Sequence, residues 1–153
     1  MVSERTRLSG PAVELVSVIG ARLGPKFEPF VPLYLPAVLK LCTKPSKIYL
    51  SRGTSCLKML ATHCRVPAII SQLKLVMMEK SQTLRIAASD ALNEFLGTSS
   101  RDGAPRPGKW IDDVEQMIKM LARDASPEAR QFARKAYASY AQLWPERVAE
   151  SVM

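Results

Sequence analysis

Three segments of this chain repeat one plan, and that repetition restricts it to a stack of helices. With Ser46, Ser81 and Ser126 placed in line, Gly53, Ala88 and Ala133 fall seven residues on. Ten residues on come Cys56, Ala91 and Ala136; eleven on come Leu57, Leu92 and Tyr137; fourteen on come Leu60, Phe95 and Tyr140. Steps of three and four residues put these positions on one helix face, and the order of small and large side chains is shared. The three serines are separated by 35 and then 45 residues. A period of about 40 with two helices per unit is the signature of a HEAT-repeat α-solenoid. The uneven spacing has a visible source in Thr98 to Gly108, a Ser-, Gly- and Pro-rich stretch that reads as an inserted loop at about 98–109.

The last copy shows the local logic most clearly. Ser126 is a good N-cap, Pro127 fits the first helical position, and Glu128 suits the positive end of the helix dipole. Phe132, Ala133, Ala136, Tyr137 and Tyr140 then mark the buried face. The same reasoning predicts a first helix from about Arg5 to Leu23, disturbed at Ser9-Gly10-Pro11. A second is expected from Phe27 to Leu41, bent by Pro29, Pro32 and Pro36. Further helices are expected from Ser46 to His63, Pro67 to Glu79, Gln82 to Leu96, Trp110 to Arg123 and Pro127 to Trp144, with another opening at Pro145. Helices two and three, four and five, and six and seven pair as hairpins. Leu57, Leu60, Leu92, Phe95, Phe132, Tyr137 and Tyr140 should be mostly buried, with Met77 and Met78 as core filler.

Several function classes recede on composition. The chain has 153 residues and is 47% hydrophobic, which suits one packed domain rather than a disordered chain. No apolar run reaches the length of a membrane span, and no membrane partner is expected. Cys42, Cys56 and Cys64 lack any Cys-x-x-Cys spacing and read as reduced core residues. No P-loop, dinucleotide fingerprint or zinc spacing occurs, so no cofactor or metal is expected. His63 and Cys64 are adjacent on a helix and point apart, which disfavours a catalytic pair. Asp112, Asp113 and Glu115 crowd one helix start and suit its dipole better than a metal. The chain is not expected to be an enzyme.

Charge is the remaining signal. The formal net charge is +8, and residues 1–74 hold 11 Lys and Arg against 3 Asp and Glu. An acidic partner follows from such an excess. The hairpin turns, at Thr43–Ser46, Lys80-Ser81 and Asp124–Ser126, should line up along one edge of the solenoid. That edge would display Lys44, Lys47, Lys80, Arg85, Arg130 and Arg134. Cations at helix starts oppose the dipole, which makes the row a candidate site. Equally, Lys and Arg are common surface residues.

An ordered set of short motifs resembles the TOG-type domain of CLASP proteins. It comprises Gly24-Pro25-Lys26-Phe27-Glu28, Leu35-Pro36, Ser46-Lys47-Ile48 and His63-Cys64-Arg65-Val66-Pro67. Lys80-Ser81, Leu84-Arg85 and Ala129 to Tyr137 followed by Pro145 complete it. The resemblance covers nearly the whole chain. It implies a HEAT-repeat paddle of a microtubule-associated protein, at the cytoskeleton and spindle in the cytoplasm, whose intra-repeat turns contact tubulin. On that reading Lys47, Arg85, and Arg130 with Arg134 fall on the basic positions of three successive turns. A complete domain of this type has about six repeats, so this chain reads as a single partial domain, 1–153, truncated at its N-terminal end. Val13, Leu15, Val16, Val18 and Ile19 would then leave an apolar end open to self-association. Two other readings stay in play: a HEAT scaffold gripping a protein or peptide along a helix face, and nucleic-acid binding. The second is disfavoured because the basic residues are not interleaved with exposed aromatics.

Overall fold

A computed structural model describes the backbone of residues 10–152 and the side chains of residues 11–150. The order is α1 (Gly10–Leu23), a 3-10 segment (Gly24–Phe30), α2 (Val31–Leu41), α3 (Lys47–His63) and α4 (Pro67–Leu75). Then follow α5 (Gln82–Asp102), α6 (Trp110–Ala122), α7 (Pro127–Leu143) and α8 (Pro145–Val152). These helices form two layers. In one, α1, α3, α5 and α7 pack in succession; in the other, α2 packs on α4 and α4 on α6. This is an all-α, HEAT-like solenoid. The expected start of the first helix at Arg5 lies outside the described residues.

The prolines explain how the second helix departs from expectation. Pro25 and Pro29 lack the N–H that an α-helix needs, and Gly24 to Phe30 wind as a 3-10 segment instead. α2 begins only at Val31, with Pro32 in its first turn. Phe27 is wholly buried beneath this corner. Gly53 lets α3 lie close to α2, since a Cβ there would stand 2.9 Å from the Leu41 Cβ. Ala88 and Ala133, its counterparts in register, are likewise buried.

The core runs unbroken between the layers. Leu57, Leu60, Leu92 and Phe95 are fully buried, as their register requires. Three expectations fail. Tyr137 is 43% exposed and Phe132 only half-buried, because α7 is the last helix of its layer among the described residues. Met78 is 80% exposed, because α4 ends at Leu75 rather than Glu79, and the turn carries Met78 outward while Met77 stays inside. The inter-repeat connector is also shorter than expected. α5 runs on to Asp102, and Thr98 and Ser99 are buried within it, so only Gly103–Lys109 leave the helix.

The register of the stack is written in its hydrogen bonds. The Cys64 thiol approaches the Gly20 carbonyl at 3.5 Å, and Arg65 Nη1 donates to the Gly103 carbonyl at 2.7 Å. Lys74 Nζ donates to Asp113 Oδ1 at 2.9 Å, and the Ser100 hydroxyl to Gln142 Oε1 at 2.9 Å. These bonds span 44, 38, 39 and 42 residues, which is one repeat each. At the far corner Trp110 and Trp144 meet edge to face, with ring centroids 5.5 Å apart. Glu115 there accepts hydrogen bonds from Arg147 Nε at 2.6 Å and from the Tyr140 hydroxyl.

Phe95 is fully buried and packs edge to face on Trp110 at 5.9 Å. Phe95→Ala should therefore destabilise the fold by about 3–5 kcal/mol, read as a shift in the urea midpoint at unchanged slope.

Candidate functional site

Two of the three hairpin turns are built by a short polar code at the start of the second helix. Ser81 caps α5 by accepting the Leu84 N–H at 3.2 Å, and Ser126 caps α7 by accepting the Ala129 N–H at 3.3 Å. Ser46 occupies the same position before α3 without such a bond. Four residues after the capping serine, two repeats carry an arginine. Arg85 Nη1 reaches back to the carbonyls of Glu79 and Lys80, at 2.8 and 3.0 Å. Arg130 Nη1 reaches back to those of Asp124 and Ala125, at 2.7 and 3.0 Å. Both arginines thus use the same pair of backbone acceptors, six and five residues earlier. Leu50 stands at this position in α3, where no such clamp is possible.

Arg85 does more than close its own turn. Its Nε and Nη2 donate to both carboxylate oxygens of Asp124, at 2.8 and 3.2 Å. This forked pair joins the second turn to the third and is largely shielded, with side chains 17% and 7% exposed. The Arg85 hydrogen bonds hold the Asp124 carboxyl below the usual carboxylate range, against the opposing effect of burial. Asp124 Oδ1 also accepts the Ser126 N–H at 2.9 Å, which fixes the turn ahead of the cap. One step back, the Thr83 hydroxyl donates to the Cys42 carbonyl at 2.8 Å and joins the first turn to the second. The three turns therefore form one continuous edge.

The six sequence-predicted cations divide by what they touch. Lys47, Lys80 and Arg134 are exposed, and Lys44 is half-buried; none of these four forms an ion pair among the described residues. Arg85 and Arg130 have guanidinium groups occupied by turn carbonyls, and Arg85 by Asp124 as well. Arg134 also lines a shallow groove with Lys119, Arg130 and Tyr137 beside Ile118 of α6. Sequence reasoning missed Asp124 and Thr83 as linking residues. A signal for the first was present, since Arg85 and Asp124 stand 39 residues apart, as do Lys74 and Asp113. Opposite charges one repeat apart are candidates for a bridge between neighbouring helices.

The other polar groups singled out are engaged in packing. Asp112 and Glu115 pair with Arg147, and Asp113 pairs with Lys74. Burial pushes the Cys42 thiol up to about 11 and the Cys64 thiol up to about 12, so both stay protonated at neutral pH. Asp90 is raised as well, chiefly by burial, although Lys58 lies 3.5 Å away. No helix among the described residues is long and apolar enough to cross a membrane.

A family model described as CLASP N terminal matches residues 1–153. The chain belongs to the CLASP N-terminal family. It is 26% identical over 150 residues to the protein stu1 of Aspergillus fumigatus, covering 97% of this chain and 11% of that protein. It is 25% identical over 150 residues to the protein stu-1 of Neurospora crassa, covering 96% and 13%. To the CLIP-associated protein of Arabidopsis thaliana it is 21% identical over 148 residues, covering 96% and 10%. The chain thus spans about a tenth of the length of the curated relatives it matches. The motif set that resembled a CLASP domain is borne out by this membership.

Asp124→Ala removes the acceptor of both Arg85 nitrogens and should lower stability by about 1.5–3 kcal/mol at neutral pH. Because the folded-state carboxyl titrates below its unfolded value, its contribution is present above the unfolded value and lost as pH falls through the folded one. Denaturation curves of parent and variant should therefore converge toward acid pH.

Proposed function

We infer that this chain is a tubulin-contacting domain of a microtubule-associated CLASP protein, acting through the intra-repeat turns at the cytoskeleton. The observation that carries this reading is the alignment of three turns on one edge, with unpaired cations at the first two and on α7 beyond the third. Lys44 and Lys47 come from the first turn, Lys80 from the second and Arg134 from the second helical turn of α7 after the third. Arg85 and Arg130 belong to the same ridge in a different capacity, holding the turns in shape from beneath. Tubulin is an acidic protein, and a fixed row of cations favours fast encounter and correct orientation with such a surface. Holding the turns rigid before contact lowers the ordering cost of binding.

Reversal of the four cations that form no ion pair is the direct test. A Lys44→Glu, Lys47→Glu, Lys80→Glu, Arg134→Glu variant should co-pellet with microtubules about tenfold or more weakly, at unchanged helical content by circular dichroism. Parent binding should fall with added salt, since exposed charges are screened over about 8 Å at physiological ionic strength. Reversal of Arg52 and Lys135, exposed elsewhere on α3 and α7, should matter much less. Undiminished pelleting of the ridge variant would remove the ridge as the site.

A scaffold function is the second reading, favoured by one observation. A groove between α2 and α4 is lined by Pro36, Leu39, Leu75 and Val76, and Leu75 is prominently exposed. Such a surface suits an apolar peptide. Binding that survives reversal of the ridge but is lost in Leu75→Asp would favour it.

A further inference from the structure

We propose that the edge opposite the hairpin turns, where one repeat passes to the next, is a separate binding site for an extended acidic polypeptide segment. Helices α1, α3 and α5 end on this edge, and α2, α4 and α6 start from it. From Arg22 to Lys109 the successive connectors and the helix ends that flank them carry Arg22, Lys26, Arg65, Arg101, Arg106 and Lys109 along this edge. Glu28 and Asp102 are the carboxylates of the same segments, and Asp112 and Asp113 in the first turn of α6 are already paired with Arg147 and Lys74. The joints are contiguous. Gly24 backs onto the His63 carbonyl, 3.6 Å from where its Cβ would stand, and Arg65 Nη1 holds the Gly103 carbonyl at 2.7 Å.

Helix-end electrostatics account for only part of this cluster. Arg22 and Arg101 occupy the last turns of α1 and α5, where the dipole favours cations. Lys26, Arg65 and Arg106 lie in connectors, and Lys109 is the N-cap of α6, where the dipole opposes a cation. None of the six forms an ion pair among the described residues, whereas Lys58, Lys74, Arg85 and Arg147 are all paired. Unpaired cations also stand elsewhere, at Lys40, Arg52, Lys119, Arg123 and Lys135, but this edge gathers six of them on three successive connectors and their flanking helix ends.

The 103–109 loop is also held in place rather than free. Trp110 Nε1 donates to the Arg106 carbonyl at 2.7 Å, while Arg65 secures Gly103 from the preceding repeat. Arg65 itself adopts φ of 40°, a left-handed backbone that costs a non-glycine residue energy, and its buried Nε has no hydrogen-bond partner. The strained arginine thus anchors the basic loop through its Nη1 and fixes the spacing of the loop cations. A preorganised loop of this kind binds with less ordering cost than a mobile one.

Peptide is favoured over nucleic acid by the aromatic groups. Phe30 faces Phe27 and Tyr34, and Trp110 faces Phe95 and Trp144, so the rings near this edge are already engaged. Bases would find near this edge only Phe30, 40% exposed and already packed on Phe27 and Tyr34, whereas a single strand needs successive rings to stack on. The site lies across the molecule from the turn ridge and can be occupied together with it.

The test is fluorescence anisotropy of a dye-labelled short oligoglutamate peptide with the full chain. Saturable binding at low salt, weakening as salt rises, is expected. The Arg101→Glu, Arg106→Glu, Lys109→Glu variant should lose about tenfold or more in affinity, and Lys44→Glu, Lys47→Glu, Lys80→Glu should not. Should the reversed loop melt early, the neutral pair Arg106→Gln, Lys109→Gln gives the same reading with a smaller loss. The proposal is overturned if the parent chain fails to bind the peptide at low salt, or if both charge-reversed variants lose equally. It is overturned too if a single-stranded oligonucleotide displaces the peptide and binds the loop more tightly. Microtubule pelleting of the same variants reads the turn ridge independently of these outcomes.

Discussion

The structure depends on one helix layer stacking on itself at a fixed offset of about 40 residues. No hairpin here can bury its apolar face alone, and only its neighbours complete it. The tertiary hydrogen bonds that span 38 to 44 residues are the visible record of that offset. They lie on both layers and at both edges. Lys74 and Asp113 tie α4 to α6, Thr83 ties α5 to the end of α2, and Arg65 ties the 103–109 loop to the joint before it. A slip of one residue would rotate the next helix by about 100° and turn buried positions outward. The offset is therefore what brings three turns to one edge and three connectors to the other.

That arrangement gives cations of the same kind different work. Arg85 and Lys47 both stand near the start of a second helix, and both oppose the local dipole. Arg85 is compensated by Asp124 and two carbonyls, and its loss would be felt as a change of shape. Lys47 is exposed, and its loss would be felt as a change of field. Charge reversal at the two positions measures different quantities. The long-range pair is also the more acid-sensitive element, because Asp124 must stay ionised to hold both turns.

The outermost helices among the described residues are covered unequally. At one end α8 folds back on α7, and Trp110, Tyr140 and Trp144 enclose the corner that Arg147 and Glu115 close. At the other, α1 covers α3 with Val13 and Val16 but presents Leu15, Val18 and Ile19 to solvent.

The layout of the solenoid was legible in the sequence because helical periodicity is local. Small and large residues at matched distances from Ser46, Ser81 and Ser126 predicted the second helices, their hairpin partners and a core of Leu57, Leu60, Leu92 and Phe95. Capping by Ser81 and Ser126 was equally legible, since a cap is formed within four residues. The ends of elements were less so. Thr98 and Ser99 look like loop residues, yet packing keeps them helical, and Met78 looks like core but leaves it when α4 stops at Leu75. Tertiary structure alone decided which cations are free. Arg85 and Lys80 read alike along the chain, but only folding brings Asp124 from 39 residues away to one of them. A side chain's type fixes the charge it carries, whereas the partner that neutralises it is set by the stacking of repeats.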